Sequence, residues 1–122
     1  MKHIILVVDD SPVLRQISFE TLSEAGYKVV QAENGKAGLL QLDKYTPSLI
    51  ISDLNMPEMN GLEFIRTLRQ RPPLAQTPVI MVTTELSDSM KAAGRAAGAT
   101  AWLTKPLQPP LLLKAVNALL HQ

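Results

Sequence analysis

The sequence predicts an α/β fold, a doubly wound parallel sheet of five strands with five helices. Five short apolar runs alternate with segments of helical periodicity along the whole chain, a pattern typical of consecutive βα units. Pro and Gly lie at the junctions between these segments, where they end helices and open turns. The length of 122 residues suits a single domain. Because no composition shift marks a linker, we predict one domain over residues 1–122.

The first half of the chain contains three predicted strands and two predicted helices. Ser11 followed by Pro12 indicates a helix start, because serine can accept a hydrogen bond from a free N–H group and proline suits the first turn. Gly26 is a plausible stop for that helix, and Asn34 with Gly35 indicates a turn before the next one. The predicted elements are strand 3–8, helix 12–25, strand 28–32, helix 36–45 and strand 49–52.

The second half begins with a loop over residues 55–61, which Pro57 and Gly61 interrupt. Pro72 closes the helix that follows this loop. The fourth helix has few large apolar residues and an internal Gly94, which costs about 1 kcal/mol relative to alanine, so it is the weakest predicted element. The predicted elements are helix 62–70, strand 79–83, a helix from 87–88 to 97, strand 101–104 and a helix from 109 onwards.

Composition excludes several classes of function. Twelve basic and eleven acidic residues leave a net charge of +1, whereas nucleic-acid or membrane-surface binding favours a strong basic excess. Cysteine is absent, which removes disulfides, thiol chemistry and Cys-ligated metals. The apolar run near the amino terminus is too short for a signal peptide, and none approaches the roughly 20 residues of a membrane span. We expect a cytoplasmic protein without a nucleic-acid or membrane partner.

Charged and polar side chains stand at the ends of four of the five predicted strands. In an open α/β sheet, ligands bind in the crevice at the carboxyl ends of the strands. We therefore expect these side chains to converge on one site. They are three carboxylates, one hydroxyl and one ammonium group, from Asp9, Asp10, Asp53, Thr83 and Lys105.

Three carboxylates in one place favour a bound cation. Unit charges about 4 Å apart repel by about 4 kcal/mol at an effective dielectric constant near 20, so either one carboxylate takes up a proton or a cation lies among them. Oxygen ligands without nearby His or Cys suit Mg²⁺, which completes its shell with water and phosphate oxygens. The plainer alternative is that Asp9 and Asp10 only favour the start of the first helix.

The other two side chains suit a phosphate. Lys105 supplies a positive charge on a flexible stem, and Thr83 supplies a hydroxyl that can donate to a phosphoryl oxygen. A carboxylate nucleophile, a divalent ion, a cation and a hydroxyl are the parts needed to accept a phosphoryl group as an acyl phosphate. Each side chain taken singly is typical of a solvated strand end, so this prediction depends on the whole set.

Four short runs carry a resemblance that covers the whole chain: residues 7–11 (VVDDS), 53–61 (DLNMPEMNG), 82–85 (VTTE) and 103–106 (LTKP). Together they resemble the response-regulator receiver domains, in particular the stand-alone, CheY-like receivers of chemotaxis. The resemblance implies a flavodoxin-like fold with strand order 2-1-3-4-5.

The same resemblance implies a role for each acidic residue. Asp53 would accept a phosphoryl group from the phosphohistidine of a histidine kinase. Asp10 and Asp53 would bind Mg²⁺ directly. Asp9 would act largely through water, and Asn55 would contribute its backbone carbonyl.

The resemblance also implies which residues contact the phosphate and which residues change position in response. Thr83 and Lys105 would hold the phosphoryl oxygens, and the Lys105–Pro106 bond is a candidate cis peptide. Trp102 stands where the family has its switch aromatic, most often Tyr or Phe. In the family that ring moves inward as the hydroxyl turns toward the phosphate, and the face of helix 4, strand 5 and helix 5 changes. Trp102 is larger than Tyr, a departure that bears on this rotation.

These roles predict a signalling switch with self-catalysed phosphorylation and dephosphorylation, not a conventional enzyme. The expected partners are a histidine kinase, with a chemotaxis kinase as one candidate, and a downstream protein such as a flagellar switch component; we expect a monomer. Alternatives with the same chemistry are a phosphorelay intermediate and a receiver that regulates a kinase outside chemotaxis. Two further alternatives are a hydrolase with Asp53 as nucleophile, where Asn55 replaces the expected second aspartate, and a binding module that needs no phosphate.

Overall fold

The computed structural model describes residues 3–84 and 86–121 and contains one sheet of five parallel strands. The strands are β1 (Ile4–Val8), β2 (Lys28–Ala32), β3 (Leu49–Asp53), β4 (Val79–Thr83) and β5 (Ala101–Thr104). Their order is β2-β1-β3-β4-β5, which confirms the predicted fold class and strand order. No helix in the described ranges is long and apolar enough to cross a membrane.

Helices cover both faces of the sheet. They are α1 (Pro12–Glu24), α2 (Gly35–Leu42), α3 (Gly61–Arg69), α4 (Asp88–Ala97) and α5 (Pro109–Leu120). Helices α1 and α5 cover one face through Leu22, Leu112 and Val116, while α2, α3 and α4 cover the other. Because side chains alternate between the faces of a strand, the sheet divides the apolar core into two layers.

The predicted end of the second helix is wrong. Helix α2 ends at Leu42 and not at residue 45, because the N–H groups of Lys44 and Tyr45 both donate to the carbonyl of Gln41, at 3.0 and 2.9 Å. This pattern tightens the chain into a turn. A 3₁₀ helix at Pro72–Leu74 was not predicted. The other described boundaries agree with the prediction or differ by a single residue.

Side-chain caps open the first four helices at the carboxyl edge of the sheet. Each cap is an oxygen that accepts a hydrogen bond from a backbone N–H three residues later, which satisfies one of the free donors of the first turn. The predicted cap of α1 is confirmed, with 3.3 Å from Leu14 N to Ser11 Oγ. The four caps are Ser11, Asn34, Asn60 and Ser87.

A polar network lies at the opposite, amino edge of the sheet. The His3 Nδ1 and Ser48 Oγ atoms are 3.0 Å apart. The Tyr27 hydroxyl donates to the Asn117 side-chain carbonyl and lies 3.2 Å from His121 Nε2. The rings of His3 and His121 are 5.9 Å apart between centroids. This network joins the start of β1 to the end of α5 and lies at the opposite edge from the predicted acidic site.

Candidate functional site

Three carboxylates converge at the carboxyl edge of the sheet. One oxygen from each of Asp9, Asp10 and Asp53 lies within 4.8 Å of the others. The β1 and β3 strands that bring them there are direct neighbours, with Val8 paired to Ser52. Asp9 and Asp53 are only 5% and 3% exposed, whereas Asp10 is exposed. Two carboxylates are therefore buried while the third faces solvent.

The Lys105 ammonium group lies among these carboxylates. Its Nζ atom is 3.0 Å from Asp53 Oδ1 and 3.9 Å from Asp9 Oδ2. The Lys105 backbone N–H donates to the Thr83 carbonyl at 2.9 Å, and the Lys105–Pro106 peptide bond is cis. The structure therefore places one cation against the two buried acidic groups.

Burial dominates the electrostatics of both acids. It raises the pKa of Asp53 above its usual value; contact with Lys105 acts in the opposite direction, and the charge of Asp9 raises the pKa further. Burial likewise raises the pKa of Asp9, opposed by the Ser11 N–H and by Lys105. Asp53 Oδ1 accepts no aligned hydrogen bond from the described residues, so its 3.0 Å contact with Lys105 is an ion pair of imperfect geometry.

The turn between β1 and α1 holds Asp9 in place. The Ser11 backbone N–H donates to Asp9 Oδ1 at 2.8 Å, and Arg15 Nη1 donates to the Asp9 carbonyl oxygen at 2.6 Å. Arg15 was not predicted to lie at the site. Its position four residues after the Ser11 cap, one helical turn into α1, is the signal that could have placed it there.

The loop after β3 returns closely against the end of that strand. The Gly61 N–H donates to the Leu54 carbonyl at 2.8 Å. A Cβ at Gly61 would lie 2.6 Å from the Asp53 carbonyl oxygen, so only glycine fits there without a shift of the backbone. Asn55 is exposed two residues after Asp53. The loop thus begins with Asn55 just beyond the carboxyl end of β3.

Thr83 ends β4 next to Asp53 and is 1% exposed. A cleft of about 330 Å³ opens beside it, lined by Leu54, Asn55, Thr83, Thr84 and Met90. This cleft separates the end of β4 from the first turns of α4. Glu85, part of the run at residues 82–85, lies outside the described residues.

Trp102 belongs to β5, and its ring packs against α4. It is partly buried and packs against the core layer under α3 and α4. A Cβ at Gly94 would overlap the Trp102 ring. The fourth-helix glycine, predicted only as a weakness, is therefore the residue that lets the ring approach α4.

The donor set at this edge fits Mg²⁺. Carboxylate oxygens suit a small, hard cation, and the incompletely partnered Asp53 Oδ1 is a buried charge that a cation would stabilise. Across residues 3–84 and 86–121, this is the single group of three or more His, Cys, Asp or Glu side chains that could hold a metal ion.

Known proteins are similar to this chain in both sequence and fold. The family model for the response regulator receiver domain matches residues 5–117. Protein PilH of Pseudomonas aeruginosa is 37% identical over 116 residues, covering 95% of this chain and 96% of that protein. Chemotaxis protein CheY1 of Helicobacter pylori is 36% identical over 118 residues, covering 95% of each. The structure of Vibrio cholerae chemotaxis protein CheY4 superposes with a TM-score of 0.95 at 42% identity, covering 98% of this chain and 99% of the other.

Proposed function

The chain belongs to the response regulator receiver domain family, and from this membership we propose that it accepts a phosphoryl group on Asp53. Receiver domains are signalling switches that bind Mg²⁺ at an acidic pocket and interact with histidine kinases and downstream effectors. The observation that carries the proposal is the pairing of buried Asp53 with Lys105 at 3.0 Å inside a cluster of three carboxylates.

In the proposed reaction, a carboxylate oxygen of Asp53 attacks the phosphorus of a kinase phosphohistidine. A P–O bond forms, the P–N bond breaks, and the imidazole leaves after taking up a proton. Bound Mg²⁺ supplies charge neutralisation for the phosphoryl oxygens. Asp10, Asp53 and the Asn55 carbonyl are the proposed direct ligands, and Asp9 acts through water.

Lys105 has the central role among the proposed phosphate contacts. Its ammonium group pairs with Asp53 Oδ1, and this carboxylate loses its negative charge once it becomes an acyl phosphate. We expect the ammonium to turn to a phosphoryl oxygen, because the negative charge nearest to it then lies on the phosphoryl group and no longer on the Asp53 carboxylate. The Thr83 hydroxyl is the proposed second contact, since β4 ends beside the acidic cluster.

The proposed output is the face built by α4, β5 and α5, which includes Trp102. Thr83 and Lys105 connect the phosphate to this face because one ends β4 and the other directly follows β5. The relatives named as chemotaxis proteins support a chemotaxis pathway, with a flagellar switch component as the proposed effector. We propose that residues 1–122 act as one receiver domain, as a monomer, in the cytoplasm.

Small-molecule phosphorylation tests the proposal. Incubation with Mg²⁺ and labelled acetyl phosphate should label the wild-type protein on Asp53, and Asp53→Asn should take no label. Asp43→Asn is a matched control, because Asp43 is an exposed carboxylate paired with Arg71 at 2.9 Å and should leave labelling unchanged. Undiminished label in Asp53→Asn would contradict the assignment.

A further inference from the structure

The two ends of α4 are held very differently. At the carboxyl end, Gly98 adopts a left-handed conformation, and Arg69 of α3 donates to its carbonyl oxygen at 2.7 Å. The same guanidinium donates to the Leu74 carbonyl at 2.7 Å. At the amino end, the Ser87 cap is exposed, and Met90 lines the open cleft beside Thr83. Helix α4 is therefore hydrogen-bonded to α3 at its carboxyl end, whereas its amino end borders the cleft, with Met90 partly buried against the core.

The middle of α4 is shaped around the Trp102 ring. Gly94 is buried, and a Cβ there would overlap the ring, so the ring fills the volume that any other residue would occupy. A glycine inside a helix lowers the folding equilibrium constant about fivefold relative to alanine. The ring contact explains why a glycine stands at this position. Because packed side chains transmit displacement, a movement of the Trp102 ring would also displace the helix.

We propose that Gly94 is a positioning residue that couples Trp102 to α4, so that ring and helix move as one body. The helix pivots at the Arg69–Gly98 contact, and its first turns move into the cleft beside Thr83. This differs from a ring that rotates alone past a stationary helix. The trigger rests on the proposed phosphorylation of Asp53, but the ring–helix coupling does not depend on it.

A double-mutant cycle tests the contact between Gly94 and the Trp102 ring in the absence of phosphate. Gly94→Ala should lower the folding equilibrium constant when Trp102 is present. In a Trp102→Ala background, the same change should raise it about fivefold, because only helix propensity remains. Ala92→Gly is the matched control: Ala92 is exposed on the same helix, and the change should lower the constant about fivefold in both backgrounds. An equal gain from Gly94→Ala in both backgrounds would overturn the proposal.

Coupling is tested by hydrogen exchange and fluorescence together. The chain has one tryptophan, so its emission reports on the Trp102 ring alone. Acetyl phosphate with Mg²⁺ should change both that emission and amide exchange over residues 88–93 in the wild type. In Gly94→Ala, mass spectrometry should still show phosphorylation of Asp53. The change in amide exchange over α4 should, however, be at least threefold smaller than in the wild type. An undiminished response would overturn the coupling. If wild-type Asp53 takes no phosphate, the proposed function fails. The double-mutant cycle still tests the contact between Gly94 and the Trp102 ring.

Discussion

Helices α3 and α4 lie side by side on one face of the sheet, yet they are anchored to very different degrees. Phe64, Ile65 and Leu68 of α3 are fully buried at 0% exposure, whereas the buried residues of α4 are Gly94 and Ala97. Burial of a large apolar side chain contributes roughly 1.5–3 kcal/mol. Helix α3, which follows the Asp53 loop, is therefore packed more firmly against the core than α4, which follows Thr83.

The largest expected difference comes from side-chain truncation. Leu68→Ala removes a fully buried side chain of α3 and should lower the free energy of unfolding by about 2–5 kcal/mol. Met90→Ala, on the partly buried side of α4, should cost less than half as much. Urea unfolding of both variants checks the comparison. Equal losses would mean that α4 is as firmly packed as α3.

The next largest difference is expected between the losses of stability caused by alanine at the glycines of the two helices. Gly61→Ala in α3 brings a Cβ within 2.6 Å of the Asp53 carbonyl oxygen, and backbone cannot move aside as easily as a side chain. We expect a loss of about 1–3 kcal/mol together with slower phosphorylation of Asp53. Gly94→Ala meets only the Trp102 side chain and should cost less in thermal unfolding. The reverse order would place the rigid contact in α4.

Removal of a helix cap should cost less and show where each helix frays. Asn60→Ala and Ser87→Ala each remove one bond to a backbone N–H, at 2.9 and 3.2 Å, and each should cost about 0.5–2 kcal/mol locally. The α3 variant should lose global stability, because α3 unfolds with the core. The α4 variant should mainly show faster amide exchange in its first turn. A purely global effect in both variants would contradict an independently mobile α4.

The smallest expected effect is the contribution of Asp53, at the end of β3, to the pH dependence of the free energy of unfolding. Because the pKa of Asp53 is raised in the folded protein from 3.8, the folded state binds more protons than the unfolded state between that value and the raised one. The free energy of unfolding should therefore fall as pH rises through this range. Asp53→Asn should reduce this slope, while the part due to the raised pKa of Asp9 remains, and should increase stability at neutral pH. Asp88→Asn, at an exposed acid in α4, is the control; an identical slope in Asp53→Asn would remove Asp53 as the cause.

Much of the candidate site was predictable because its residues stand at strand ends. Asp9, Asp53 and Lys105 each stand at or just after the end of a predicted strand, so local sequence is enough to locate them at one edge of the sheet. The strand order came from the resemblance and not from periodicity, which does not reveal which strands are neighbours.

The missed features depend on packing between distant positions. Gly94 carries no local sign that the Trp102 ring fills the space of its missing side chain. The contact from Arg69 to Gly98 spans 29 residues, and the early end of α2 depends on a double hydrogen bond to Gln41. Such features follow from tertiary geometry, which outweighs local propensity.

The contact between His3, Tyr27 and His121 has a practical consequence. It brings residues from near both ends of the sequence together at the edge of the sheet opposite Asp53. A short linker between them should permit circular permutation, with new ends opened in an exposed loop. A fluorescent protein or surface tether attached near either position would emerge away from the acidic cluster and leave that edge of the sheet accessible.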